Sequence, residues 1–211
     1  MAGQFIPPQQ ASLVQNTQMA QPQIPAADAE ILKQINANMP VSVEQQSSYT
    51  SVPSTYFEKL AKVESANNPL AKAKTTSASG LYQFIDKTWK DTVKEMGENY
   101  KLEDRFNPAI SRQVAEYFTE KNRVQLLPVL KREPTDTELY MAHFLGAKTG
   151  STFLKALQEN PETKAETLTP AGAKANKSIF YDKAGNPKTV QQVFEYFDRK
   201  FMGKPESTPL L

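Results

Sequence analysis

Glu64-Ser65-Ala66-Asn67-Asn68-Pro69, followed by Ser77-Ala78-Ser79-Gly80-Leu81-Tyr82-Gln83-Phe84, is the stretch on which the reading of this chain turns. Glu64 closes an amphipathic pattern carried by Tyr56, Leu60 and Val63, with Ser54 read as the helix N-cap. The Ser/Asn/Pro cluster that follows it is turn-forming. A carboxyl at that point can face a cleft while the helix holds its backbone rigid. In the second segment Gly80 permits a close backbone approach. Gln83 offers amide donors and an acceptor. Tyr82 and Phe84 offer flat apolar faces, and desolvation beside them or Phe144 would push a neighbouring carboxyl toward its protonated form.

Outward from this stretch the patterns are mainly helical. Asp86 is read as the cap of a helix carrying Trp89, Val93 and Met96, with Gly97 at its end. Asn107-Pro108 is an N-cap with proline at the first helical position, before Ile110, Val114, Tyr117 and Phe118. Thr135 and Glu138 fit a capping box ahead of Leu139, Met141, Ala142 and Leu145. Ser151 is read as the cap of a helix through Phe153, Leu154 and Leu157, and Thr189 as the start of one bearing Val193, Phe194, Phe197 and Phe201. Tyr140, Phe153 and the Phe194/Phe197/Phe201 stripe are expected in the core. Strand signals are confined to 79–85 and 179–181. The expected class is mainly α, with a small or vestigial β element.

Composition narrows the chemistry. The 211 residues have a formal net charge of +2, with no dense basic run of the kind that neutralises a phosphate backbone, so nucleic acid is not an expected partner. There is no cysteine and a single histidine, His143, which excludes thiolate chemistry, disulfides and His-rich zinc sites. No stretch approaches the ~20 apolar residues of a membrane span. Residues 1–19 carry no Lys or Arg and no apolar run long enough for a signal peptide.

Composition shifts near residue 50. Residues 1–50 are Gln/Pro-rich and read as a low-complexity N-terminal arm; Ile31, Leu32, Ile35 and Met39 give it one short amphipathic pattern, ended by Pro40. Residues 51–211 are expected to form the one folded domain. Lys72, Lys74 and the Lys131-Arg132 pair read as a solvated face.

Residues 64–69 and 78–83 closely resemble the soluble lytic transglycosylase domain of the lysozyme-like superfamily, apart from Tyr82 where that family often has Met. Asn107-Pro108 is similar to the start of the family's helix after the cleft. The segment Tyr140-Met141-Ala142-His143-Phe144-Leu145-Gly146-Ala147 sits where the family has Ala-Tyr-Asn-Ala-Gly. The segment Ala175-Asn176-Lys177-Ser178-Ile179-Phe180-Tyr181 resembles the tail of phage-type members. The resemblance covers about residues 54–200 and implies a goose-type, lysozyme-like fold. It departs from the family at His143, which takes the place of a tyrosine that helps orient substrate or the catalytic glutamate.

That resemblance implies a single acid/base, Glu64, whereas most glycosidases employ two carboxylates. Glu64 would protonate the β-1,4 oxygen between N-acetylmuramic acid and N-acetylglucosamine in peptidoglycan. It would then deprotonate the C6 hydroxyl of the muramic sugar, giving a 1,6-anhydro product without a metal or organic cofactor. Ser65, Ser79, Gly80, Tyr82, Gln83, Phe84, His143, Phe144 and Tyr181 are the expected substrate-binding residues. Simple hydrolysis, as in goose-type lysozymes, is the near alternative. A structural virion or secretion-machine component that keeps the fold is the distant one. With no signal peptide expected, delivery to the periplasm or cell wall points to a phage virion, or to release through a holin at lysis; residues 1–50 read either as a disordered leader or as an arm docking on virion or tail proteins.

Overall fold

The computed structural model describes residues 52–203, and within them the fold is helical without a sheet. Helix α1 spans Ser54–Ser65. Its Tyr56, Phe57, Leu60 and Ala61 are buried, the i, i+1, i+4, i+5 stripe of a helix lying on a core. Helix α2 spans Asp86–Glu95 and buries Trp89 and Val93. A 3-10 turn at Leu102–Phe106 leads to α3, Pro108–Leu130, the longest element at about 35 Å by its 23 residues. Helix α4 is Asp136–Leu145 and α5 is Ala147–Glu159. Three short helices follow: α6 Ala165–Leu168, α7 Pro170–Ala175 and α8 Lys177–Phe180. Helix α9, Val190–Met202, closes the fold.

The packing is built around α4, which touches α3, α5 and α9; α9 also lies on α1, and α1 on α3. Tyr140 on α4 sits at the centre with no exposed surface, stacked on Phe201 at 4.8 Å and met by Phe197 at 5.8 Å. Phe153 is equally buried and meets Phe180. Of the α9 stripe, Phe197 and Phe201 are core, whereas Phe194 is only half-buried against it.

Several helix starts follow their residues. The Asn107 side chain accepts from the N–H groups of Ala109 and Ile110, with Pro108 at the first helical position. Thr135 with Glu138, and Thr189 with Gln192, form capping boxes. Three expected caps are displaced. Ser54 and Asp86 are the first residues of their helices, not the caps; Pro53 and Ile85 hold the cap positions without a side-chain bond. Ser151 lies inside α5, which begins four residues earlier, directly after Gly146 at φ +80°. A glycine in that conformation lets one helix end and the next begin without an intervening loop.

The expected strands are not formed. Residues 79–85 contribute only two isolated bridges, Ser79 to Lys72 and Ser79 to Phe84, and Ile179 belongs to α8. The left-handed φ values at Gly80 (+80°) and Gln83 (+50°) turn the chain back before a strand can extend. The expected arm, 1–50, with its amphipathic pattern, lies outside the described residues.

Candidate active site

Glu64 stands one turn beyond Leu60 and two beyond Tyr56, so an i, i+4, i+8 row that buries two large side chains ends in a carboxylate. The residue as a whole is half-buried, but its Oε1 is enclosed and has no hydrogen-bond partner. Buried polar atoms are normally paired, so this oxygen is held out of water by the packing around it. The helix stops immediately afterwards. Ala66 and Asn67 take left-handed φ values of 53° and 62°, and their N–H groups bond back to the carbonyls of Lys62 and Ala61. Two consecutive non-glycine residues in that region cost on the order of 1 kcal/mol each. Asn68 then turns the chain by accepting from the N–H of Leu70.

The loop opposite is stitched by backbone contacts and one arginine. The Gly80 N–H donates to Ala71 O at 2.9 Å, and a side chain at Gly80 would meet the carbonyl oxygen of Arg105 at 2.1 Å. Glycine is therefore required twice, for its conformation and for the approach of the 3-10 turn. Arg105 is 7% exposed; its guanidinium donates to the carbonyls of Leu102, Ser77 and Phe84 and pairs with Asp86 at 2.8 Å. Gln83 is locked from inside, with Nε2 donating to Gly80 O at 2.8 Å and to Ala71 O at 3.4 Å.

Around Glu64 the structure gathers an aromatic and polar group. His143 is ringed by Phe84 and Phe118, edge to face at 5.8 and 5.7 Å. Its Nε2 lies 3.2 Å from the Tyr82 carbonyl oxygen, while Nδ1 is buried without a partner. Burial holds the imidazole below the ordinary histidine range, although the Glu64 carboxylate pulls the other way, so the ring is neutral near pH 7. The hydroxyls of Tyr140 and Tyr56 are likewise buried and unpartnered. Burial first, and the Glu64 charge second, keep the Tyr140 phenol firmly protonated; Tyr56 is raised by burial, with Asp136 and Glu64 adding to it. Lys200 caps the group from α9, over the Tyr140 ring at 5.3 Å and the Phe144 ring at 5.7 Å.

The sequence-predicted residues divide accordingly. Glu64, Phe84 and His143 come together, with Tyr82 contributing its backbone carbonyl and Phe144 bordering through Lys200 and Phe197. Phe84 is 3% and Tyr82 4% exposed, so both are packed walls and not the open stacking faces expected. The Tyr82 phenol is raised by burial, against the influence of Arg112. The Ser65 hydroxyl donates to Ala61 O and that of Ser79 to Ser77 O, so both serve the local backbone. The Tyr181 hydroxyl donates to Glu166 and its backbone bridges to Pro187. Sequence reasoning missed Tyr56, Arg105 and Lys200, and it placed Tyr140 only in the core. Spacing could have shown Tyr140, since Tyr140, His143 and Phe144 share one face of α4. Nothing in the sequence marks Arg105 among its charged neighbours.

The described residues hold no group of three or more His, Cys, Asp or Glu able to bind a metal ion, and no helix among them is long and apolar enough to cross a membrane.

Residues 42–127 match the family model of the transglycosylase SLT domain. With the helical fold, this makes that part of the chain similar to the SLT domain of the lysozyme-like superfamily. The match runs from before α1 into α3, so it includes Glu64 and the Gly80–Gln83 loop and ends ahead of α4. It supports peptidoglycan cleavage of the lytic transglycosylase type, with peptidoglycan as the substrate.

Proposed function

We propose that the protein cleaves the β-1,4 bond between N-acetylmuramic acid and N-acetylglucosamine with Glu64 as its one acid/base. The observation that carries this reading is the Glu64 carboxyl, half open to solvent yet with one oxygen buried and unpartnered at a rigid helix end. A carboxyl so placed can pass a proton to a leaving oxygen and take one back. The resulting carboxylate takes the proton of the C6 hydroxyl as that oxygen attacks C1. The bond from C1 to the leaving sugar breaks, a 1,6-anhydro ring forms, and no water is consumed. Gln83 keeps its amide oxygen available to a substrate N–H or hydroxyl, since its nitrogen is engaged in the loop.

The experiment is clearing of purified peptidoglycan by the wild type and Glu64→Gln, with mass spectrometry of the fragments. The variant is expected to lose about 10²–10⁴-fold in rate, the usual weight of a general acid/base. Equal clearing by both proteins overturns the assignment. Reducing ends that have taken up water, in place of anhydro ends, identify a hydrolase of the goose type.

Delivery by a phage virion, with action in the periplasm or cell wall, is the cellular setting we propose. It is supported by the Gln/Pro-rich composition of residues 1–50, suited to docking on a virion or tail protein. Particles assembled with protein lacking those residues are expected to lose it. Full incorporation counts against this setting.

A further inference from the structure

His143 occupies the place where the resembling family has a tyrosine, and its hydrogen bonding prevents it from doing a tyrosine's work. A neutral imidazole has one N–H. The Tyr82 carbonyl is an acceptor only, so the contact at 3.2 Å assigns that hydrogen to Nε2. Nδ1 is then a bare acceptor, buried and unpartnered. Two acceptors gain nothing by facing each other, so His143 cannot donate to an ionised Glu64.

Tyr140, one helical turn earlier on α4, supplies what His143 lacks. Its ring is fixed between Phe201, Phe197 and the Lys200 ammonium and has no exposed surface. Its hydroxyl is buried with no hydrogen-bond partner, and so is Glu64 Oε1. Of the groups acting electrostatically on this phenol, Glu64 is the foremost, ahead of Tyr196 and Tyr56. We propose that Tyr140, in place of His143, is the positioning residue that donates a hydrogen bond to the Glu64 carboxylate and orients it. This rests on Glu64 being the acid/base. The bond strengthens when Glu64 has given up its proton, so it favours departure of the leaving sugar. Tyr140 keeps its own proton throughout.

The other charged or titratable groups facing this cluster are Lys200 on α9, which acts on His143, Tyr196 on α9 and Tyr56 on α1, and Asp136 on α4, which acts on Tyr56. None is altered by removing the Tyr140 hydroxyl. Tyr140→Phe is therefore expected to melt as the wild type does and to lower kcat about 10–100-fold, the loss of one hydrogen bond to a charged group. KM should stay unchanged. The alkaline limb of its pH–rate profile should move to higher pH, because losing a donor to the carboxylate favours the protonated acid.

Since His143 is the single histidine of the chain, the imidazole ¹⁵N spectrum of the full-length wild type reads its tautomer without assignment, independently of any variant's folding. An Nε2–H tautomer is expected. An Nδ1–H tautomer overturns the proposal, as does a well-folded Tyr140→Phe with wild-type kcat and pH profile. If Glu64→Gln itself retains turnover, the acid/base reading has failed instead, and the two failures are told apart.

Discussion

Gly80 and Arg105 carry the loop that faces Glu64, and they do so as a pair. The missing side chain at Gly80 makes room for the Arg105 carbonyl, while the Arg105 guanidinium fastens the carbonyls of Ser77 and Phe84 on either side of the glycine. Gly80→Ala adds a Cβ 2.1 Å from that oxygen in a left-handed conformation. The expected loss is about 2–4 kcal/mol, from overpacking and backbone strain together, read from urea unfolding. Gly97 has an equally left-handed φ with nothing within 4 Å of its virtual Cβ, so Gly97→Ala should cost only the strain term. Equal losses at the two positions would remove the steric part of the argument. At this scale the site was half legible. The place of Glu64 at the end of an amphipathic helix pattern could be read, while its candidate role came from the resemblance of residues 64–69 and 78–83. The roles of Ser65, Ser79 and Gln83 could not be read, because a short polar side chain bonds its own backbone or a ligand with equal ease, and only the local geometry decides.

Among the elements, α4 positions the most chemistry and is the best defined at its start. Thr135 and Glu138 satisfy each other's backbone N–H groups, and Arg132 grips both Glu138 oxygens at 2.7 and 2.8 Å. Burial alone would raise the Glu138 carboxyl, but Arg132 and the Thr135 N–H outweigh it, and the group titrates below the usual range. The sign follows directly. A carboxyl depressed in the fold contributes stability that is present above its unfolded value of about 4.3 and is lost as the pH falls from there through the folded value. Glu138→Gln should therefore flatten the acid side of a stability–pH curve, measured by denaturant midpoints between pH 6 and 3; an unchanged slope would discount the pairing. Thr135→Ala should cost about 1 kcal/mol at any pH in that interval. This cap was legible because a Thr/Glu spacing ahead of an apolar run has one economical structure. The start of α5 was not, because Gly146 allows a helix to begin with no cap at all. Arg132, expected on a solvated face, instead anchors α4, a pairing that depends on the turn between α3 and α4 and not on the residues alone.

Across the whole molecule the buried aromatic rows of α1, α4 and α9 form one continuous core. Trp89, the single tryptophan, is attached to that core through Phe84 and fully buried, its indole N–H on the Lys101 carbonyl. Its fluorescence should therefore report global unfolding and coincide with loss of helical circular dichroism in one transition. Separate midpoints would mean that the segment around α2 opens on its own. The mainly helical class was readable from apolar spacing. That α9 packs across α1 and α4 was not, since a helix face states that it will be covered without stating by what. The arrangement has a consequence in time. Tyr56 and Tyr140 rest on Phe201, Phe144 rests on Phe197, and Thr137 bonds to Asp198, all from the last helix described. Synthesis runs from the other end, so a growing chain exposes Glu64 long before the surface that encloses its partners exists. The producing cell is thus expected to carry an idle precursor until the final helix docks, and a chain halted before Val190 should leave purified wall material undegraded.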